Sequence, residues 1–235
     1  MARDSSERII QAATRLFASK GYHGTSMREI AREVGLTVAT VQQHAGSKES
    51  LYCQVFRRQY EMDHQIITTS LAAYDEEGLE RLCQDPVRLR QFLKDIWIRL
   101  IDRFRATPEL VRLWTYRWLE RDQLGLDIDR QFSTSLYQIE LGVIQKAQQY
   151  GTITSDWLEI LIWTSGFAWL QMGFFTGRNL IRDLEVNDPF SDESITAFYS
   201  FLDRYVDHMI RYVDSGPSHK SPGEPLDLIQ KGEQP

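Results

Sequence analysis

Apolar residues return every three or four positions along nearly the whole chain, and no stretch alternates apolar and polar residues with a period of two. A helix brings a side chain back to the same face every 3.6 residues, whereas a strand flips face at each residue, so this spacing predicts an all-α fold. Ile9, Ala13, Leu16 and Phe17 mark a first helix, opened by Asp4 with Glu7 three residues on and closed at Lys20 and Gly21. Ser26 and Glu29 have the spacing of a capping box ahead of a short second helix with Ile30, Ala31 and Val34 inward. Gly35 ends it, Thr37 caps a third helix, and Ser47 caps a fourth that runs from Lys48 toward Leu71. Further helices are expected over about 86–104, 107–118, 128–150, 155–177 and 191–213. Residues 215–235 are rich in Pro, Gly and charge with little to bury, and are expected to be a disordered tail. The resulting plan is a three-helix head over 1–47 and a helical body over 48–214, of which 48–71 is the connecting helix.

The segment from Met27 to His44 has the requirements of a helix-turn-helix: small Ala31 where two helices cross, Gly35 where the turn needs φ > 0, and Ile30, Val34, Leu36 and Val41 pointing inward. An ordinary helical hairpin satisfies the same pattern. On the third helix, Ala39, Gln42 and Gln43 stand at i, i+3 and i+4 and share one outward face. Glutamine can bridge the N6 and N7 edge of adenine, and Ala39 or Val38 can pack on a thymine methyl. Thr25, Ser26, Thr37, Thr40, Ser47 and Lys48 bring hydroxyls, an ammonium and helix N-termini where phosphates could dock, and Arg28 and His44 complete the candidate DNA contacts. Exposed glutamine is also simply a good helix former.

Charge bears on this choice. The net charge is −6, which taken alone speaks against a polyanionic partner, yet residues 1–60 hold nine bases against five acids. A basic head on an acidic body is expected when one region alone meets phosphate. Two cysteines, Cys53 and Cys83, are too few for a disulfide scaffold, the start of the chain lacks the apolar run of an export signal, and Glu159 and Gln171 interrupt the longest apolar stretch. A cytoplasmic protein without a membrane span is the expectation.

The run SERIIQAATRLFASKGYHGTSMREIAREVGLTVATVQQHAGSKESLYCQVF resembles the N-terminal domain of the TetR/AcrR family of transcriptional regulators. The resemblance implies phosphate contacts at Thr25, Thr37, Thr40 and Lys48, and a C-terminal helical domain that binds a small effector and forms a homodimer on double-stranded operator DNA. It also shows departures: Gln42 stands where the family usually has a phosphate-contacting tyrosine, and Ala45 where it usually has a core phenylalanine. Loss of that ring should leave space near Leu51 and Tyr52 for other side chains to fill.

In the body, large aromatic residues recur at helical spacing. Such stripes are often plain core, but the same residues line apolar pockets between bundle helices. The candidate lining is Trp97, Ile101, Trp114, Trp118, Tyr137, Trp163 and Phe167, suited to an apolar or aromatic effector. Gly166, Leu170, Gly173 and Gly177 form a neighbouring face that suits either packing within a subunit or a dimer seam, and Phe198, Leu202, Tyr205 and Met209 of the last helix are expected to join that seam. The five histidines are scattered without metal-ligand spacing, and no nucleophile-elbow, P-loop or dinucleotide motif occurs, so neither enzymatic activity nor a cofactor is expected. The rival reading is a helical ligand-binding protein that has lost specific DNA binding, motivated by the QQHAG departure.

Overall fold

The computed structural model describes residues 2–119, 123–176, 181–182, 185–186, 188–208 and 210. The chain is all-helical apart from a two-residue ribbon, Ile181–Arg182 paired antiparallel with Glu185–Val186, and an isolated bridge between Ile153 and Ile210. The tail expected from residue 215 lies outside the described residues.

The head is built by α1 (Ala2–Lys20), α2 (Met27–Val34) and α3 (Val38–Ala45). Ser26 accepts from the Glu29 backbone N–H while Glu29 reaches back to the Ser26 N–H, so both donors at the start of α2 are satisfied. The Glu29 carboxyl, bonded by Lys20 and Ser26, is held down at about 2. Gly35 ends α2 at φ 71°, ψ 31°, and the Leu36 N–H closes on the Ala31 carbonyl. That left-handed conformation is cheap only for glycine, which is why the elbow sits there. Thr37 caps α3 through the Thr40 N–H.

Helix α4 (Lys48–Leu71) belongs to both halves. Its first turns bury Leu51, Tyr52, Val55 and Phe56 under the head, and the Tyr52 ring meets Phe17, Tyr22 and Phe56 at centroid distances of 4.8, 4.9 and 4.9 Å. Ala45, Leu51 and Tyr52 are all buried, and the Tyr52 ring is enclosed by Phe17, Tyr22 and Phe56.

The body comprises α5 (Glu76–Gln84), α6 (Pro86–Ala106), α7 (Glu109–Leu119), α8 (Gln123–Ile128), α9 (Thr134–Gln149), α10 (Trp157–Thr176) and α11 (Asp192–Asp207). Two features differ from the sequence expectation. The nine-residue α5, capped by Asp75, is short, and its apolar face is the single stripe Leu79, Leu82 and Cys83. The helix expected from residue 128 is preceded by α8 and by a π-helical turn over Asp129–Ser133. Within α8 the Gly125 carbonyl accepts from the Arg117 guanidinium, and a side chain at 125 would meet that guanidinium.

Candidate nucleic-acid interface and effector cavity

The outer surface of α2 and α3 carries two kinds of polar group. Gln42 and Gln43 are exposed on α3 beside exposed Ala39, so the polar ridge expected from their spacing faces solvent rather than the body. Around it, the Thr37 and Thr40 hydroxyls lie 2.8 Å apart at the α3 N-terminus, Ser26 and Arg28 are exposed at the start of α2, and the Lys48 ammonium sits 4.2 Å from the centroid of the Tyr22 ring. The helix N-termini and these groups make an acceptor-binding rim.

One candidate contact, Thr25, is placed differently from the expectation, and two more, Val38 and His44, lie half-buried. Thr25 is 2% exposed, and its hydroxyl donates to the Leu16 and Gly21 carbonyls at 3.2 and 2.9 Å, so its side chain closes the α1–α2 connection instead of facing a phosphate. Val38 packs half-buried against the core beside the exposed Ala39. His44 lies half-buried with Nδ1 3.4 Å from the Ser6 hydroxyl.

In the body, six segments surround a cavity of about 260 Å³. Tyr60 and Asp63 come from α4, Trp97, Leu100 and Phe104 from α6, Trp114 and Trp118 from α7, Asp129 from the π-helical turn, Tyr137 and Glu140 from α9, and Thr164, Phe167, Ala168, Gln171 and Met172 from α10. Trp97 stacks on Phe167 at 3.7 Å and 9°, and Trp114 meets Tyr60 edge-on at 5.0 Å. Tyr137 stands at the rim, 45% exposed.

The expected lining residues Trp97, Trp114, Trp118, Tyr137 and Phe167 are brought together; Ile101 and Trp163 are not. Ile101 is wholly buried, and its neighbour Leu100 takes the wall. Trp163 faces α11, where its indole N–H donates to the Tyr205 carbonyl at 3.1 Å, and Thr164 lines the cavity in its stead. Both corrections are rotations by one residue, about 100° around the helix axis. Helix α10 is apolar on most sides, so periodicity could not orient it.

The polar groups of the wall were missed altogether, since carboxylates on amphipathic helices read as solvent-facing. Asp63 pairs with Arg103, whose guanidinium also donates to Gln59 Oε1 at 2.7 Å and is lowered to about 10 by burial. Asp129 pairs with the buried Arg117 at 2.5 Å. Glu140 has no cationic partner among the described residues; burial raises its carboxyl to about 7, opposed by a hydrogen bond from the Trp97 side chain. Its one available sequence signal was the i, i+3 spacing from Tyr137, which puts both on one face of α9.

The expected dimer seam also needs correction. A Cβ on Gly166 would lie 3.3 Å from the Tyr205 hydroxyl of the same chain, Leu170 packs half-buried on the core, and Phe198 and Leu202 are 4% and 0% exposed inside the protomer. Tyr205 donates to the Trp163 carbonyl at 2.7 Å, lashing α11 to α10. These residues hold one subunit together because their rings match across α10 and α11 of a single chain. Gly173 is exposed with open space beside it; Gly177 and Met209 lie outside the described residues. The open face of α10 instead presents Leu158, Leu161, Ile162 and Trp169, exposed by 64, 37, 64 and 50%.

Among the described residues no helix is long and apolar enough to cross a membrane, and no group of three His, Cys, Asp or Glu side chains could hold a metal ion. Residues 9–55 match bacterial regulatory proteins of the tetR family, and residues 93–169 match the tetracyclin repressor-like C-terminal domain. The chain is 34% identical over 95 residues to the HTH-type transcriptional regulator LmrA of Bacillus subtilis (strain 168), covering 40% of this chain and 46% of that protein. It is 31% identical over 108 residues to IcaR of Staphylococcus aureus (strain Newman), the HTH-type negative transcriptional regulator of the biofilm operon icaADBC, covering 44% and 55%. The chain thus spans about half the length of these relatives. Among solved structures, a protein from Mesorhizobium loti MAFF303099 described as a TetR-family transcriptional regulator shares 25% identity at a TM-score of 0.58, over 88% of this chain and 96% of that one.

Proposed function

Because the chain belongs to the TetR family, whose members are regulators and not enzymes, we propose that it is a homodimeric, cytoplasmic repressor that binds a near-palindromic operator and is released by a small effector held in the body cavity. The observation that carries this reading is the exposed Gln42–Gln43 ridge flanked by helix N-termini, on a head that shares helices with a ligand-sized cavity. In this reading the DNA contacts are Ser26, Arg28, Thr37, Ala39, Thr40, Gln42, Gln43 and Lys48. The negative control named for IcaR supports the sign.

Two rods connect cavity and head. Helix α4 gives Tyr60 and Asp63 to the cavity and Tyr52 and Phe56 to the head core, while α7 gives Trp114 and Trp118 to the cavity and packs along α1. A ligand that shifts either rod rotates the head. Two heads related by a twofold axis would meet one face of a duplex with their α3 helices about 34–36 Å apart, or a multiple of it. A coupling of about 1–3 kcal/mol would change operator affinity about 5- to 150-fold.

In vitro selection from a random duplex pool, followed by gel-shift titration, tests the DNA-reading step. A twofold-symmetric site is expected, with affinity falling steeply as salt rises. Gln43→Ala is expected to lose about 1–3 kcal/mol of discrimination at one base pair of each half-site. Unsorted sequences after selection would leave the rival, a ligand-binding protein without specific DNA binding, as the better account.

A further inference from the structure

The charges of the cavity wall do not balance. Asp63 is matched by Arg103 and Asp129 by Arg117, two complete ion pairs, which leaves Glu140 as a carboxyl without a cation among the described residues. Beside it the wall is aromatic, with Trp97 stacked on Phe167. Gln171 adds a second acceptor, its Oε1 buried and without a hydrogen-bond partner among the described residues. A carboxylate taken out of water needs a counter-charge, and the apolar rings beside it suit the body that carries that charge. Among the described residues Gln171 Oε1 lacks a donor and Glu140, which accepts from Trp97 alone, lacks a counter-charge, so the two together call for a cationic N–H group.

We propose that the effector is an organic ammonium ion on an apolar or aromatic body, its nitrogen held by Glu140 and its body against the Trp97–Phe167 wall. The proposal rests on the effector-cavity reading above and narrows it, since a neutral apolar ligand would leave Glu140 and Gln171 unanswered. It also fixes a pH response. With Glu140 raised to about 7, the empty cavity holds it partly protonated at neutral pH, and only the carboxylate attracts a cation. Binding therefore strengthens as pH rises and expels a proton. The other titratable groups at the wall do not supply this slope: Asp63 and Asp129 are ion-paired, burial raises Tyr137 further from neutrality, Tyr60 donates to Asp129, and none of the described lining residues is a histidine.

The test uses phenethylammonium and its uncharged isostere propylbenzene, titrated against the whole protein by tryptophan fluorescence. At pH 8 the cation should bind at least about tenfold more tightly than propylbenzene, a modest return for a charge-assisted hydrogen bond out of water. Its affinity should fall about tenfold between pH 8 and pH 6, as a carboxylate titrating near 7 requires, while propylbenzene stays flat. Glu140→Gln should abolish both the preference and the slope and keep propylbenzene binding. Propylbenzene binding as tightly as the cation, failure of both to bind, or a preference that survives Glu140→Gln overturns the proposal; if that variant misfolds, the wild-type slope decides. Gel shifts with the same ligands separate the two readings. Cation binding that leaves operator affinity unchanged keeps the charge selectivity and removes the effector role, whereas release by propylbenzene without charge preference does the reverse.

Discussion

If the proposed dimer closes along α10, Ile162→Glu is expected to leave a monomer and to weaken operator binding by about 10²–10⁴-fold, the avidity that is lost when a second linked contact disappears. Ile162 is 64% exposed on α10, between Leu158 and Trp169 on the same open face. Soluble monomers seldom leave so large a contiguous apolar stripe in water, and a second copy of the same helix would cover it across a twofold axis. A glutamate there would be buried opposite its own copy, two like charges without a partner. Light scattering reads the mass and a gel shift reads the affinity. A variant that stays dimeric would move the seam to another face. Because the side chain is exposed in the protomer, the thermal stability of the monomer should hardly change.

Phe56→Ala is expected to cost about 3–5 kcal/mol of stability, the range for truncating a buried aromatic ring. Phe56 is 0% exposed and lies in the middle of a chain of rings: Phe17 and Tyr22 in the head touch Tyr52, Tyr52 touches Phe56, and Phe56 meets Trp114 of the cavity wall at 5.1 Å. The consequence is more than a hole. The same cavity that destabilises the fold interrupts the contact between ligand site and head, so effector-induced release should shrink even where the variant is kept folded at low temperature. Urea denaturation gives the first quantity, and gel shifts with and without effector give the second. A loss below about 1 kcal/mol would mean that the neighbouring rings relax into the space.

The local chemistry of the head was plain in the sequence. Ser26 with Glu29, Gly35 and Thr37 each have one conformational use at that spacing, and the structure puts each to that use. The body was legible as helices but not as faces. Amphipathic helices announce their inward side, whereas α10 is apolar nearly all round, and only its neighbours decide whether Trp163 or Thr164 turns to the cavity. The glycine at 166 shows the same limit: its small size announces a close approach, and the tertiary packing alone says that the visitor is Tyr205 of the same chain. Glu140 was hidden for the opposite reason, because a carboxylate on a helix is expected outside until other helices enclose it. Arg117, a charged residue buried at 3% exposure and paired with Asp129 of the π-helical turn before α9, is foreseen by no periodicity rule.

Helix α10 is one wall with two sides. Thr164, Phe167, Ala168 and Gln171 face the cavity, and Leu158, Ile162 and Trp169 face outward, with Trp169 only 5.0 Å from Trp118 of the cavity lining. In a dimer joined along the outer side, only the two paired α10 helices would separate each occupied cavity from its twin, so that filling one reshapes the surface against which the other is braced. The dose–response of such a molecule would be sigmoidal, with a Hill coefficient above one in the wild type and hyperbolic binding in an Ile162→Glu monomer: a threshold detector rather than a proportional one.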